Sequence, residues 1–78
     1  MKPKGTQEEI LLKQIGGALK NLRIKGGWSS YETFAVDNNL DRKQYWRMEV
    51  GTNLTFKSLI KVLAIHNISL KHFFKDFE

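Results

Sequence analysis

The sequence contains no cysteine and no long apolar run, and each absence excludes a class of protein. Without cysteine the chain forms no disulfide, no thiolate zinc site and no cysteine nucleophile. The longest apolar run covers residues 62–65, far short of the ~20 residues that a membrane helix needs. The first residues, 1–6, do not lead into the apolar segment of a signal peptide. We therefore expect a soluble, cytoplasmic protein with no membrane partner.

Residues suited to catalysis are also few. The two histidines, His66 and His72, lie six positions apart, whereas metal-binding pairs on one helix are usually about three or four apart. His66 follows an apolar stripe, where a packed or capping histidine is far more frequent than a ligand. No glycine-rich phosphate loop follows a strand, because the sequence predicts no strand. We expect no enzymatic activity, no metal site and no cofactor.

The charge is unbalanced toward the basic side. Thirteen Lys and Arg residues stand against eight Asp and Glu, a net charge of +5 on 78 residues. This excess favours a polyanionic partner, nucleic acid ahead of an anionic membrane surface, although a solvated basic surface explains the charge alone equally well. A chain of this length allows one domain and leaves too little material for a deep catalytic cavity.

Capping signals and apolar periodicity predict five helices, and therefore an all-α domain over residues 6–78 behind a flexible arm of residues 1–5. Thr6 and Glu9 form a capping box at the start of the first helix. Gly26 and Gly27 end that helix, because glycine readily adopts left-handed conformations. The predicted buried face of the first helix consists of Leu11, Ile15, Ala18, Leu19 and Leu22.

A short second helix is predicted from Ser30 to about Asn38. The segment 29–32 reads as a second capping box, and the buried face is Phe34 and Ala35. The helix stops at Asn38 and Asn39, since asparagine tolerates positive φ better than most residues.

A third helix is predicted over residues 41–50. Asp41 caps it, and Gln44 is expected to return a hydrogen bond. Tyr45 and Met48 face inward, and Gly51 ends the helix. A short bracing helix, a left-handed turn and a second helix together make a helix-turn-helix.

Two further helices complete the chain. The fourth has a predicted core stripe of Phe56, Leu59, Ile60 and Leu63. Val62 and Ile65 are expected to face away from that stripe, which leaves the helix apolar nearly all round, as in an interface helix. Ser69 caps a last helix whose apolar residues are Leu70, Phe73, Phe74 and Phe77.

The third helix carries cations where the helix dipole disfavours them. Arg42 and Lys43 lie in its first turn, and an anionic partner would offset their unfavourable interaction with the dipole. Arg47 and an outward Trp46 share the surface, with Gln44 at its boundary. Three roles are possible for the Trp46 side chain. It contacts a DNA sugar or a thymine methyl, it covers arginine through a cation–π contact, or it packs on the first helix.

From Leu19 to Phe74 the chain resembles the Cro/phage-repressor class of helix-turn-helix proteins, the XRE family, which has the lambda-repressor-like fold. The residues that carry the resemblance are Leu22-Arg23, Phe34-Ala35, Asn39-Leu40, Tyr45, Met48-Glu49, Gly51, Phe56, Leu59-Ile60, Leu63, Asn67-Ile68-Ser69-Leu70 and Phe73-Phe74. Departures from the family pattern are Tyr31 for the usual Gln, Asn38 for an apolar residue, Asn39 for Gly, one extra residue in 27–30, and a short link at 52–55.

The resemblance implies a DNA-binding protein of transcription regulation, such as a repressor, that reads the major groove of double-stranded DNA with helix 41–50. It assigns base contacts to Arg42, Lys43 and Arg47, a base or phosphate contact to Gln44, and phosphate-side positions to Ser30 and Tyr31. It also implies an internal ion pair between Arg23 and Glu49. We expect a homodimer, weak or induced by DNA. The alternative is a protein-interaction module, or an antitoxin-type protein that binds a protein partner, on the same fold.

Overall fold

A computed structural model describes residues 6–75 and 77, and in this part of the chain all regular structure is helical. The five helices are α1 (Gln7–Lys25), α2 (Tyr31–Asp37), α3 (Arg42–Val50), α4 (Phe56–Ile65) and α5 (Leu70–Phe73). The all-α prediction is confirmed, while the predicted arm of residues 1–5 lies outside the described residues. No helix of the described chain has the length and apolar character required to span a membrane.

The ends of the helices follow the predicted capping with two corrections. Thr6 and Glu9 exchange both bonds of the capping box, at 3.1 and 2.9 Å. Helix α2 is capped by Ser30 rather than Ser29, because Ser30 is the residue with extended backbone directly before the helix. Asp41 accepts from the backbone N–H of Gln44 at 2.9 Å, but the expected return bond from the Gln44 side chain does not form within the described chain.

The core draws on all five helices. Its buried apolar residues are Ile15, Leu19, Phe34, Ala35, Tyr45, Met48, Leu59, Val62, Leu63 and Phe73. Three residues predicted to be buried are instead exposed: Leu11, Phe56 and Ile60. Leu11 lies one turn ahead of Ile15, the first buried residue of α1.

Helix α4 is rotated relative to the prediction. Its buried sector is Leu59, Val62 and Leu63, and Val62, expected to face outward, is only 1% exposed. Ile65 is half-buried. Because apolar residues nearly encircle this helix, its periodicity does not determine which side meets the core.

Helix α1 packs across α3 at a glycine. A Cβ atom at Gly16 would overlap the carbonyl oxygen of Glu49 and approach that of Met48 to 2.6 Å. Glycine inside a helix costs about 1 kcal/mol relative to alanine, and at Gly16 the close approach of α3 explains why no larger residue is present. Gly51, in the left-handed region at φ 82°, ends α3 against the backbone of Lys13, where a Cβ would lie 2.8 Å from Cα. Both glycines let α1 and α3 sit closer together than a side chain would permit.

The turn between α2 and α3 is fixed by local hydrogen bonds. Asn39 takes a left-handed conformation at φ 58°, as expected. The backbone N–H of Leu40 donates to the carbonyl of Ala35 at 2.8 Å, and Asn38 Nδ2 donates to the carbonyl of Phe34 at 2.9 Å. These bonds fix the direction in which the chain enters α3.

Candidate nucleic-acid interface

Helix α3 has a buried side that anchors it to the rest of the molecule. Tyr45 and Met48 are buried, as predicted, and the Tyr45 ring centroid lies 4.9 Å from that of Phe34 in α2. Burial, reinforced by the negative charge of Glu49, raises the pKa of the Tyr45 hydroxyl well above its ordinary value. The tyrosine therefore stays neutral and holds α3 against α2.

A buried ion pair fixes the far end of α3. Arg23 Nε donates to Glu49 Oε2 at 2.7 Å and Nη2 donates to Oε1 at 3.0 Å, which confirms the predicted pair. The remaining Nη1 donates to the carbonyl of Trp28 at 2.9 Å. The hydrogen bond to Glu49 raises the pKa of Arg23, so the guanidinium is permanently charged. One arginine of α1 thus ties together α3 and the loop that leads to α2.

Trp28 positions the loop after α1 against α2, a role that the sequence did not predict. Its indole Nε1 donates to Asp37 Oδ2 at 3.1 Å, and its ring meets Phe34 edge to face at 5.0 Å. The indole thus connects the loop after α1 to the last residue of α2. The available sequence signal was a large aromatic residue directly after Gly26 and Gly27, at the point where the chain has its extra residue.

The opposite side of α3 is open to solvent. The residues predicted to lie there are all exposed: Arg42, Lys43, Gln44, Trp46 and Arg47. Trp46 is 45% exposed and makes no ring–ring contact with another aromatic residue of the described chain. Its predicted outward orientation is therefore confirmed.

The cations of α3 have no acidic partner among residues 6–75 and 77, where Arg23–Glu49 is the one ion pair. The first turn of α3 contains no acidic residue, and the carboxylate of Asp41 is occupied by the backbone N–H of Gln44. The outward surface of α3 consequently offers cationic and amide hydrogen-bond donors beside one indole ring.

The two candidate residues at the start of α2 are less open. Ser30 and Tyr31 are both half-buried, and Tyr31 packs against the edge of the core. The Ser30 hydroxyl oxygen accepts from the backbone N–H groups of Glu32 and Thr33 at 3.2 and 3.3 Å. Its hydroxyl hydrogen remains available to a ligand.

A cleft lies between the start of α3 and helix α4. Asp41 and Gln44 line one wall of the cleft, and Ser58 and Lys61 line the other. Lys61 therefore adds a fourth cation near the exposed surface of α3. The sequence does not predict this position of Lys61, because the approach of α4 to α3 depends on tertiary packing and not on local spacing.

His66 is a packed histidine. Its ring stacks on Phe34 with centroids 5.3 Å apart and planes 4° from parallel, and it occupies the C-cap position of α4. Burial lowers its pKa, and its Nε2 atom is buried with no hydrogen-bond partner in the described chain. No group of three or more His, Asp or Glu residues within 6–75 and 77 is arranged to hold a metal ion.

Comparison with known proteins returns no matching family model, no matching curated protein and no matching solved structure.

Proposed function

We propose that this protein is a sequence-specific DNA-binding transcriptional regulator of the lambda-repressor-like, XRE-type class. Its α2, turn and α3 form the helix-turn-helix, and α3 enters the major groove. The observation that carries the proposal is the two-sided character of α3: one side is locked to α1 and α2, and the other presents cations that no acidic side chain of the described residues pairs. A solvated basic surface does not require such rigid support, whereas reading base edges does.

The outward residues have chemistry that suits base edges. Arginine forms paired hydrogen bonds to O6 and N7 of guanine, so Arg42 and Arg47 favour guanine at the positions they reach. Gln44 suits adenine or a phosphate oxygen, and the Trp46 ring suits a thymine methyl group or a deoxyribose. In this assignment Lys43 contacts a base or a phosphate.

Phosphate contacts would set the register of the protein on the duplex. The backbone N–H groups in the first turn of α3 have no helical acceptor, and the helix dipole attracts negative charge to this end. Lys61 lines the same cleft as Gln44, and in this assignment it makes a further phosphate contact. Ser30 and Tyr31 are the candidates for phosphate contact at the start of α2.

Sequence specificity on a genome requires two copies. One recognition helix covers only about 4–5 base pairs, too few to distinguish a site among ~10⁶ or more competitors. A pair of copies related by a twofold axis would read half-sites about 34 Å apart on one side of the duplex. Bound in this way the protein would regulate transcription by occluding or recruiting polymerase.

The test is a binding-site selection from random duplex DNA, followed by gel-shift titration at two salt concentrations. Arg42→Ala and Arg47→Ala are each expected to weaken the selected site by about 1–3 kcal/mol and to relax one base position. Both should melt like the wild type, because neither side chain meets the core. Lys71→Ala, an exposed cation of α5, is the matched control. Unchanged binding by both arginine variants would exclude α3 as the reading helix.

A second candidate function is a protein-interaction module on the same fold. It is favoured by Phe56 and Ile60, two large apolar side chains that are exposed on α4. A module of this kind does not require the three exposed cations of α3. Failure to select any DNA sequence would favour it.

A further inference from the structure

A stripe of apolar side chains along α4 is left uncovered by the described residues 6–75 and 77. Phe56, Ile60 and Ala64, spaced four residues apart, form one side of the helix and are hereafter the α4 stripe. Phe56 is 64% and Ile60 is 46% exposed, whereas Leu59 and Leu63, on the adjoining side, are buried in the core. Large apolar side chains grouped on one side of a helix indicate a contact surface more strongly than scattered ones.

The α4 stripe continues into a shallow apolar groove. The groove runs from the second half of α4 to the start of α5 and is lined by Ile60, Leu63, Ala64, Ile68, Ser69 and Leu70. Its shape and composition suit the apolar side of a short amphipathic helix, which inserts residues at i, i+3, i+4 and i+7.

The lysines beside the α4 stripe indicate which class of partner would bind there. Lys57 and Lys61 each follow a stripe residue and project about 100° further round α4. Lys71 follows Leu70 of the groove, and neither α4 nor α5 contains an acidic residue. A second copy of this chain would bring lysines against lysines, which is unfavourable across an interface. Glutamates and aspartates on an incoming helix would complement these lysines.

We propose that the α4 stripe and its groove bind an acidic amphipathic helix of a different protein. The apolar side of that helix would cover Phe56 and Ile60, and its carboxylates would face Lys57 and Lys71. The proposal stands independently of DNA binding by α3, because the side of α4 that faces α3 carries Ser58 and Lys61 rather than the stripe.

The test uses two synthetic helical peptides that share one Leu stripe and differ only in flanking Glu or flanking Lys. Fluorescence anisotropy with the full chain is expected to show at least tenfold tighter binding of the Glu peptide, with a loss of affinity at high salt. Ile60→Asp should lower the affinity for the Glu peptide at least tenfold. Ile10→Asp, at an equally exposed apolar position of α1, should leave it unchanged.

Charge reversal distinguishes charge-selective binding from non-specific apolar binding at this surface. The double variant Lys57→Glu with Lys71→Glu should prefer the Lys peptide over the Glu peptide. Equal affinity for the two peptides, binding of neither, or full binding by Ile60→Asp would overturn the proposal. A wild-type dimer in analytical ultracentrifugation that Ile60→Asp dissociates would also overturn it, because the stripe would then be covered by a second copy.

Discussion

Arg23 and Glu49 meet edge to edge, with two nitrogen–oxygen contacts of 2.7 and 3.0 Å between side chains that are only 5% and 7% exposed. They lie on α1 and in the last turn of α3, so their bond orients the helix that carries the exposed cations. A bidentate pair of this kind fixes an angle as well as a distance, because the planar guanidinium must lie in the plane of the carboxylate.

Removal of one member of this pair is expected to be costly. Glu49→Ala leaves the Arg23 guanidinium buried without its counter-charge, which destabilises a protein by about 3–5 kcal/mol. In a domain of this size about 1 kcal/mol corresponds to roughly 4–8 °C, so we expect the melting temperature to fall by about 10 °C or more. Thermal melting followed by circular dichroism measures this change. Glu32→Ala, an exposed carboxylate in the first turn of α2, is the control and should lower the melting temperature far less, because it loses only a favourable interaction with the helix dipole.

The double variant Arg23→Met with Glu49→Leu distinguishes a stranded charge from lost packing. Apolar side chains of similar size remove both charges together, and such replacements are frequently neutral or stabilising. The double variant should therefore be more stable than Glu49→Ala alone. A melting curve of Glu49→Ala that matches the wild type would show that the pair contributes nothing to stability.

The adjacent glycines of α1 should respond in opposite ways to the same substitution. Gly16→Ala introduces a Cβ into the backbone of α3, where two carbonyl oxygens have no room to move, and overpacking of this kind costs about 1–3 kcal/mol. Gly17→Ala meets nothing within 4 Å and replaces a poor helix former, so it should stabilise by about 0.5–1 kcal/mol. Urea denaturation of both variants tests the pair. Equal effects of the two substitutions would contradict the close crossing of α1 and α3.

The parts of this structure that are predictable from sequence are those encoded locally. The caps at Thr6 and Asp41, the left-handed Asn39 and the terminating Gly51 each depend on a few neighbouring residues, and the structure contains them all. The exposed surface of α3 was predictable for a similar reason: with Tyr45 and Met48 assigned inward, helical periodicity fixes where the remaining side chains point.

The features that escaped prediction depend on contacts between distant segments. Helix α4 is apolar nearly all round, so its pattern fits several rotations, and only packing against the other helices places Val62 inside and Phe56 outside. The approach of Lys61 to Gln44 and the bond from Trp28 to Asp37 are likewise set by tertiary geometry. No local spacing encodes them.

Acid should destabilise the fold through His66. Burial lowers the pKa of His66 in the folded state, so the unfolded chain binds a proton more readily than the native protein. The stability that the neutral ring contributes is fully present above the ordinary pKa of histidine, about 6.5, and is lost as the pH falls from that value through the lower pKa of the folded state. We expect the melting temperature to drop between about pH 7 and pH 5.

Two variants assign this pH dependence to one ring. His66→Leu removes the titrating group but keeps an apolar side chain against Phe34, so it should flatten the slope between about pH 7 and pH 5. His72→Gln, at an exposed position of α5, should retain the wild-type slope. An unaltered slope in His66→Leu would assign the acid sensitivity to other groups.

If α3 contacts DNA as proposed, substitution of Lys43 and substitution of Trp46 should have different effects on binding. Lys43→Ala, if the lysine contacts phosphate, should weaken binding to all sequences alike and reduce the slope of log K against log salt by about 1. Trp46→Ala should leave the salt slope unchanged and reduce discrimination at one position, because a ring against a thymine methyl releases no counterion. Gel shifts on the selected site and on single-base variants measure both effects. A large change of salt slope in Trp46→Ala would place the indole against the phosphate backbone instead.

Two facts bear on assembly: one recognition helix covers only a few base pairs, and apolar residues that could otherwise join two copies are buried in the monomer core. Val62, which was expected to face outward as in an interface helix, is buried within the monomer, and so is Phe73. The like-charged lysines beside the α4 stripe oppose a second contact between copies. We therefore expect free protein to be monomeric at micromolar concentration.

Two adjacent half-sites should nevertheless bind two copies cooperatively, because the duplex holds the copies side by side and so raises the local concentration for a contact that is too weak to form in free solution. Sedimentation of the protein alone should give a single species of 9.1 kDa. With the selected duplex it should give a complex of two chains per DNA, and lengthening the spacer between half-sites by about 5 base pairs should abolish cooperativity by rotating one copy to the opposite side. A one-to-one complex on a non-palindromic site would exclude this assembly, since one copy would then suffice for recognition.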